Sequence, residues 1–279
     1  KEKDNGVEIL LKDNPSLHAD MVVLAIGVTP DTALAKEAGL ELGIKESIVV
    51  NDRMETSVPD IYAAGDAVQV KHYVTGNDAL ISLAGPANKQ GRIIADNICG
   101  GDSRYLGSQG SSVIKVFDMT AATTGINETN AKKSGLEVDT VILSPMSHAG
   151  YYPGGKVMTM KVVFEKETYR LLGAQIIGYE GVDKRIDVLA TAIHAGLKAT
   201  QLKDLDLAYA PPYSSAKDPV NMAGFMIDNI AKGILKQWHL EDMDKISKDK
   251  NAVLLDVRTV GEFSRGHING FKNIPVDEL

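Results

Sequence analysis

The sequence predicts a multi-domain protein in which an α/β part is followed by an α+β part, and three patterns support this fold class. Residues 20–28 form a continuous apolar run, which is typical of a strand buried on both faces of a sheet. Residues 60–67 form a second apolar run, and a helical pattern follows it. From about Val113 the pattern changes to alternating strands, as in residues 157–164, where every second side chain is expected on one buried face.

The α/β part is predicted to contain short strands and one clear helix. Residues 47–56 predict a short hairpin, and the run over 60–67 predicts a buried strand that ends in Gly65-Asp66. Apolar residues recur at helical spacing over 87–98, and Gly100-Gly101 can end this helix. A strand followed by a helix is the order found in dinucleotide-binding domains.

Two helices with an apolar stripe are predicted in the α+β part. The first stripe consists of Ile186, Leu189, Ile193 and Leu197. The second begins at Asp218-Pro219, an N-cap followed by proline, and consists of Val220, Ala223, Ile227 and Ile234. Residues 113 to about 235 are therefore predicted to form a separate domain with a half-exposed antiparallel sheet.

Composition excludes several classes of function. The formal net charge is −7, so the surface does not suit nucleic acid or an anionic membrane. No stretch approaches the roughly 18 apolar residues that span a bilayer, and we expect a cytoplasmic protein without nucleic-acid or membrane partners. The chain starts at Lys1 with a strand under way and stops at Leu279 soon after another, so we expect that residues precede and follow it.

The single cysteine, Cys99, excludes an intrachain disulfide and fits a reducing compartment. It is predicted to end a helix, where the helix dipole disfavours a thiolate. We therefore do not expect Cys99 to be a redox cysteine.

Residues 56–67, TSVPDIYAAGDA, resemble the second flavin-binding signature of flavoproteins with two dinucleotide-binding domains. In that signature a carboxylate at the end of a strand accepts a hydrogen bond from a ribityl hydroxyl, and a glycine lets the backbone approach the cofactor. The resemblance assigns these roles to Asp66 and Gly65, with Ala67 beside them.

Residues 83–98, LAGPANKQGRIIADNI, resemble the helix whose N-terminus the same flavoproteins point at the flavin pyrimidine ring. The positive end of such a helix favours negative charge on the reduced flavin. The resemblance places Ala84 and Ala87 near the ring. Lys89, one turn further, either contacts a substrate phosphate or faces solvent. Residues 22–40 resemble the crossover by which the chain returns from the NAD-binding domain.

Residues 207–225, LAYAPPYSSAKDPVNMAGF, resemble coenzyme A-disulfide and persulfide reductases and lack the His-Glu pair of the glutathione-reductase branch. The resemblance implies that Tyr209 lies beside the flavin and reactive sulfur of the partner subunit, that Lys217 contacts substrate, and that Tyr151 is a second active-site tyrosine. A phenol can hydrogen-bond a departing thiolate, and an ammonium can pair with coenzyme A phosphates. A rigid turn at Pro211-Pro212, with the tyrosines as interface residues, is the alternative.

After a polar linker or exposed helix over 237–251, residues 252–258 predict a buried strand. Residues 254–275, LLDVRTVGEFSRGHINGFKNIP, resemble the opening of a rhodanese domain, whose nucleophilic cysteine belongs to a later loop. His267 is expected to be a structural hydrogen bonder, because no cysteine or second histidine lies near it in sequence.

The order of these segments resembles an FAD-dependent pyridine nucleotide-disulfide oxidoreductase of the coenzyme A-disulfide/persulfide reductase type. It implies the end of an NAD(P)-binding domain over 1–27, half of an FAD-binding domain over 28–112, a dimerisation domain over 113–236, and a linker with the start of a rhodanese-like α/β domain over 237–279.

The implied reaction passes electrons from NADH or NADPH through FAD to a redox cysteine upstream of this chain. That cysteine would reduce a small sulfur substrate, namely coenzyme A disulfide, coenzyme A persulfide or polysulfide, in a homodimer, with coenzyme A as a further ligand. The alternatives are an NADH oxidase or peroxidase of the same fold, or a catalytically silent dimerisation fragment.

Overall fold

The elements of the chain are described from a computed structural model over residues 2–3 and 6–279. The strands are β1 Glu2–Lys3, β2 Gly6–Ile9, β3 Leu17–Ala19, β4 Val70–Lys71, β5 Asp78–Ala79, β6 Ser112–Val116, β7 Met119–Gly125, β8 Val138–Leu143, β9 Thr159–Glu165, β10 Leu171–Gly178, β11 Leu255–Asp256 and β12 Lys272–Asn273. The α-helices are α1 Ala33–Glu37, α2 Ala84–Ile98, α3 Glu128–Lys133, α4 Val182–His194, α5 Pro219–Ala231, α6 Met243–Ile246 and α7 Val260–Arg265. Short 3₁₀ turns lie at Ile44–Glu46, Gly65–Ala67, Ala199–Asp204, Leu240–Asp242 and Val276–Glu278.

The main sheet has five antiparallel strands in the order β6-β7-β10-β9-β8. The alternation predicted over 157–164 is confirmed, because its four stripe residues are all buried: Met158, Met160, Val162 and Phe164. Val163, on the opposite face, is buried as well, so the middle of β9 is covered on both faces. The edge strand β6 is largely exposed, and so are Gln175 and Ile177 of the central strand β10. The predicted half-exposed sheet is therefore confirmed, with one face covered by the core and the other open except near Val163.

Helices α4 and α5 supply the main core of this domain. α4 packs against β7 and β10, and α5 packs against β8. The predicted stripes are buried at Ile186, Leu189, Ile193, Val220, Ala223 and Ile227. The predicted start of α5 is confirmed, since the Asp218 side chain accepts a hydrogen bond from the Val220 N–H (3.0 Å). Ile234 is 72% exposed, which corrects the stripe, because α5 ends at Ala231 and Gly233 reverses the chain with a φ of +70°.

The predicted buried strand over 20–28 is wrong. β3 pairs with β2 and ends at Ala19, and the following apolar run forms no strand. Ile26 is 89% exposed. A strand of this kind is buried only when other strands flank it, and no strand within residues 2–3 and 6–279 pairs with this segment.

The hairpin predicted over 47–56 and the buried strand predicted over 60–67 are also corrected. Over 47–56 the chain turns, with the Asn51 N–H donating to the Glu55 carbonyl oxygen (3.0 Å), but the flanks pair elsewhere through isolated bridges. Residues 60–64 are joined to the rest of the chain by one bridge from Tyr62 to Glu55, and Gly65–Ala67 is a 3₁₀ turn. Both segments wrap a small core of Met54, Val68 and Val70 instead of forming a ladder.

The predicted helix over 87–98 is confirmed, and α2 extends it back to Ala84. Its end agrees with the predicted stop, because Gly100 has a φ of +88° and its N–H donates to the Asn97 carbonyl oxygen (3.0 Å).

The C-terminal residues form a small layer of two parallel strands, β11 and β12, beside α7. The buried strand predicted over 252–258 is wrong, because β11 has two residues and both Val253 and Val257 are exposed. The polar stretch over 237–251 holds a 3₁₀ turn and α6, and it is anchored to β8 through hydrogen bonds of Gln237 and His239. Among the described helices, none is long and apolar enough to cross a membrane.

Candidate active site

Two tyrosine hydroxyls meet at the surface of the α+β domain. Tyr151 lies between β8 and β9, and Tyr209 lies before α5, yet their hydroxyl oxygens are 2.6 Å apart across 58 positions of sequence. Their side chains are 75% and 46% exposed, so a solute can reach the pair. The hydrogen bond with Tyr151, together with partial burial, raises the pKa of Tyr209. The Tyr209 hydroxyl therefore keeps its proton at neutral pH, and it can donate that proton to a ligand when Tyr151 is the donor within the pair.

Backbone hydrogen bonds hold the two tyrosine loops together. The Ala149 N–H donates to the Ser214 carbonyl oxygen (2.9 Å), which joins the loop of Tyr151 to the loop of Tyr209. The Tyr213 N–H donates to the Ala210 carbonyl oxygen (2.9 Å), and Pro211-Pro212 lies inside this turn. The structure thus brings together the two tyrosines that the sequence resemblance singled out, and their catalytic roles stay predictions.

A buried ion pair lies beneath these loops, and sequence reasoning missed it. Arg185 of α4 is 1% exposed and its guanidinium is 2.9 Å from the Asp218 carboxylate. Burial opposes ionisation of Asp218, but hydrogen bonds from Arg185 and Ser214 outweigh it and lower the pKa of that carboxyl. The sequence contained one indication that Arg185 is buried. Arg185 lies one helical turn before Leu189 and so falls on the apolar stripe of α4.

Lys217 follows the tyrosine loop and lies on the surface at the start of α5. Its side chain makes no hydrogen bond or ion pair within the part of the chain that the structure describes. Beside it runs an open groove of mainly apolar residues, lined by Leu143, Ser144, Pro145, Met222, Phe225 and Met226. A free ammonium next to an apolar groove suits an anionic ligand that also carries an apolar arm.

The second cluster of predicted residues forms where the 3₁₀ turn Gly65–Ala67 packs against α2. Gly65 has a φ of +82°, and a Cβ added there would lie 3.9 Å from the Ala87 Cβ, so glycine is needed for backbone conformation rather than for space. The Gly65 N–H donates to the Gln90 side-chain oxygen (2.7 Å). Sequence reasoning missed Gln90, because its burial, at 1% exposed, is visible only in the folded structure.

The same cluster fits part of a flavin. The N-cap residue of α2, Leu83, supplies no side-chain acceptor to the first-turn N–H groups, and Ala84 is exposed beside them. Asp66 is exposed, and its carboxylate has no hydrogen bond or ion pair with any described residue. Free N–H donors, small side chains and a free carboxylate at one place suit the pyrimidine edge and the ribityl hydroxyls of a flavin.

Other predicted residues lie outside these contacts. Lys89 is exposed on α2 without a hydrogen bond or ion pair to the described residues, so in this structure it faces solvent. Hydrogen bonds of the described chain do not join Tyr209 to the cluster of Gly65 and Asp66, and a contact of Tyr209 with flavin stays a prediction.

Cys99 lies at the end of α2, as predicted, and it is exposed. His267 contacts the carbonyl oxygen of Phe263 through Nδ1 (3.0 Å) and stacks on its ring, which agrees with a structural role. Across residues 2–3 and 6–279, no group of three or more His, Cys, Asp or Glu residues is placed to hold a metal ion.

Two family models match the chain. Residues 1–91 match the family described as pyridine nucleotide-disulphide oxidoreductase, and residues 111–219 match its dimerisation domain. The chain therefore has the mixed α/β fold of the pyridine nucleotide-disulphide oxidoreductases together with their dimerisation domain, which confirms the predicted fold class.

Individual relatives narrow the similarity to enzymes of sulfur and coenzyme A chemistry. The chain is 38% identical over 219 residues to the NAD(P)H sulfur oxidoreductase (CoA-dependent) of Pyrococcus abyssi, covering 78% of this chain and 49% of that protein. It is 36% identical over 222 residues to the coenzyme A disulfide reductase of Staphylococcus aureus strain RF122, covering 79% and 50%. The crystal structure of reduced CoADR-RHD from Bacillus anthracis superimposes with a TM-score of 0.93 at 48% identity, covering 99% of this chain and 50% of that one. The chain spans about half the length of the curated relatives it matches.

Proposed function

We propose that this chain is part of an NAD(P)H-dependent flavoenzyme that reduces a coenzyme A-linked disulfide or persulfide, or polysulfide. The observation that carries the proposal is the exposed pair of hydroxyls of Tyr151 and Tyr209, 2.6 Å apart, on the same loops as the free ammonium of Lys217. Phenol donors and a phosphate-binding cation are the groups needed to release a coenzyme A thiolate. The similarity to coenzyme A-dependent relatives supports the same substrate class.

FAD would supply the redox chemistry by accepting a hydride from NADH or NADPH and passing two electrons on to a disulfide. In this chain Asp66 would accept a hydrogen bond from a ribityl hydroxyl, and the turn at Gly65 would let the backbone approach the cofactor. Ala84 and Ala87 would leave room for the ring, and Ala67 completes the turn. The family match over residues 1–91 supports this assignment.

The tyrosines would act on the sulfur that leaves. A cysteine thiolate, supplied by another part of the protein, attacks the substrate sulfur, and the sulfur–sulfur bond of the substrate breaks as a new disulfide forms. The displaced thiolate takes a hydrogen bond from the Tyr209 hydroxyl, and the proton that completes the thiol comes from solvent. Tyr151 hydrogen-bonds Tyr209 and orients its hydroxyl. Because its pKa is raised, Tyr209 would act as a hydrogen-bond donor to the thiolate rather than as an acid.

A homodimer is proposed, with residues 113–236 as its dimerisation domain. The outer sheet face, defined by Ile114, Ile142 and Ile177, is apolar and exposed, which supports burial against a second copy. The flavin cluster and the tyrosine pair of one chain would then belong to different active sites of the dimer, with Tyr209 beside the flavin of the partner subunit.

The C-terminal layer is proposed to be the start of a rhodanese-like domain over 237–279. Its Asp256 and Arg258 side chains pair with each other, and Arg258 also donates to the Gly266 carbonyl oxygen (2.9 Å), which organises the segment that resembles a rhodanese. A fused sulfur-transfer domain favours persulfide over disulfide as the substrate.

The test is stopped-flow kinetics of Tyr209→Phe in the full-length protein that carries this chain. We expect the sulfur half-reaction with coenzyme A disulfide or persulfide to slow by roughly tenfold to a thousandfold, because one hydrogen bond to developing charge is lost. Flavin reduction by the nicotinamide should be unchanged. The matched control is Tyr179→Phe, since Tyr179 is another exposed tyrosine of the same domain. Equal slowing of both half-reactions would contradict the proposed catalytic role and indicate that Tyr209 is a packing residue.

Lys217→Ala in the same experiment separates the substrate classes. We expect the KM for coenzyme A-linked substrates to rise more than the KM for a small polysulfide, because the ammonium is proposed to hold a phosphate. Lys236→Ala, which removes another exposed lysine, is the control. An oxygen-dependent turnover that exceeds the sulfur activity would instead favour the NADH oxidase alternative.

A further inference from the structure

Arg185 is a buried guanidinium that no described step of the reaction uses. It lies in the first turns of α4 and is 1% exposed. Its donors are nevertheless all directed at protein acceptors, including the Gly181 carbonyl oxygen at 3.2 Å and the Asp218 carboxylate at 2.9 Å. A charge held this far from water is costly unless it is paired and hydrogen-bonded.

One nitrogen of Arg185 joins the two tyrosine loops. Its Nη2 donates to the Ser147 carbonyl oxygen (2.9 Å), in the segment that leads to Tyr151. The same nitrogen donates to the Tyr213 carbonyl oxygen (3.3 Å) and the Ser214 hydroxyl oxygen (3.1 Å), in the segment that follows Tyr209. A single planar group therefore joins two loops that are distant in sequence, in addition to the backbone hydrogen bond from the Ala149 N–H to the Ser214 carbonyl oxygen (2.9 Å).

Asp218 extends this link to the start of α5. Its carboxylate accepts from Arg185, from the Ser214 hydroxyl (2.6 Å) and from the Val220 N–H (3.0 Å). The N-cap of α5 and the end of the Tyr209 loop are thus held by the same guanidinium through one carboxylate. Lys217, which directly precedes Asp218, is placed by the same contacts.

We propose that Arg185 is a positioning residue that holds Tyr151 and Tyr209 at hydrogen-bond distance by joining their two loops through Ser147, Ser214 and Asp218. The proposal rests on the proposed function for the meaning of the tyrosine pair, but the positioning itself is a property of this chain. The requirement is for arginine in particular. Besides the Nη2 contacts with both loops, Nε donates to the Asp218 carboxylate (3.2 Å) and Nη1 donates to the Gly181 carbonyl oxygen (3.2 Å). A lysine ammonium has its three donors on one nitrogen and cannot reach all of these acceptors at once.

The test compares Arg185→Lys and Ser214→Ala in the full-length holoenzyme. Arg185→Lys keeps a positive charge beside Asp218 and removes the fork. Ser214→Ala removes one contact of the fork and is the milder variant, should Arg185→Lys fold poorly. Arg170→Lys is the matched control, because Arg170 is an exposed arginine of the same domain. Circular dichroism and bound flavin check that each variant is folded.

The first measurement is the ionisation of Tyr209, followed by ultraviolet difference titration in each background with and without Tyr209→Phe. The hydrogen bond with Tyr151 raises the pKa of Tyr209. We expect Arg185→Lys, and to a smaller extent Ser214→Ala, to return that pKa towards about 10, the ordinary value for tyrosine, because the two hydroxyls separate. An unchanged titration of Tyr209 in both variants would overturn the proposal.

The second measurement is the rate of the sulfur half-reaction. A displacement near 1 Å can cost about a hundredfold, so we expect Arg185→Lys to slow this step by about tenfold to a hundredfold while flavin reduction is unchanged. In a Tyr209→Phe background the same substitution should add little. A shifted Tyr209 titration with an unchanged rate of the sulfur half-reaction would support the positioning role of Arg185 and contradict the proposed role of the tyrosines. Failure of the positioning proposal and failure of the proposed function can therefore be told apart.

Discussion

Replacing Asp66 by alanine is expected to weaken FAD binding while leaving the protein fold intact. The carboxylate is exposed at the end of the turn Gly65–Ala67 and has no hydrogen bond or ion pair within the described residues. Its removal therefore breaks no hydrogen bond or ion pair among the described residues. All of the expected effect falls on a bound flavin, whose ribityl hydroxyl would lose its acceptor.

The size of this effect follows from the loss of one hydrogen bond to a charged group. Leaving a buried hydroxyl without its acceptor costs about 1–3 kcal/mol. Since about 1.4 kcal/mol changes a dissociation constant tenfold, the Kd for FAD should rise by roughly fivefold to 150-fold. Asp66→Asn, which keeps a neutral acceptor, should lie between Asp66→Ala and the unchanged protein.

The assay is titration of the flavin-free full-length protein with FAD, followed by the quenching of flavin fluorescence. Asp118→Ala is the control, because it removes an exposed carboxylate from the turn between β6 and β7. Thermal unfolding of the flavin-free variants should coincide with that of the unchanged protein. A Kd for Asp66→Ala within twofold of the unchanged protein would refute the assignment of Asp66 to the ribityl chain.

Two further predictions concern assembly and pH. Sedimentation velocity at micromolar concentration should show a dimer. Ile142→Asp should weaken this dimer, because Ile142 lies on the outer sheet face, and the control Val253→Asp should not. A monomer with full activity would contradict the proposed assembly. Glu128 has its pKa lowered to about 2 by hydrogen bonds from Lys132 and Lys161, so its stabilisation is complete above about pH 4.5 and is lost as pH falls through about 2. Glu128→Gln should therefore lower the free energy of unfolding by about 1 kcal/mol at pH 7 and by nothing measurable at pH 2. Urea denaturation at each pH measures this difference. An equal loss of stability at both pH values would refute the role of the Glu128 carboxylate.

The elements of the α+β domain that the sequence predicted correctly depend on local pattern. The alternation over 157–164 and the cap at Asp218 need only neighbours in sequence, and both are confirmed. The predictions over 20–28 and 252–258 failed for a common reason. An apolar run is consistent with a buried strand, but burial requires strands on either side, and the run itself does not specify them.

In the candidate site, too, some features were predictable from local sequence and others depended on packing. The Gly65-Asp66 pair and the helix over 87–98 were predictable from motifs, while the turn at Gly65 and the Gln90 contact that joins it to α2 required the packed structure. Arg185 was overlooked because a charged residue in an amphipathic helix is usually assigned to the solvent face. Its burial depends on acceptors from loops far away in sequence, which a helical pattern does not contain.

The sequence by itself determined the order of the segments, the identity of the tyrosines and lysine that resemble an active site, the end of α2 and the start of α5. Those features depend on side-chain type and short-range backbone preferences. Only the tertiary structure decided that the hydroxyls of Tyr151 and Tyr209 lie 2.6 Å apart and that one buried arginine joins their loops. The physical reason is that contacts between distant segments form where packing brings their donors and acceptors together, and no local pattern encodes that distance.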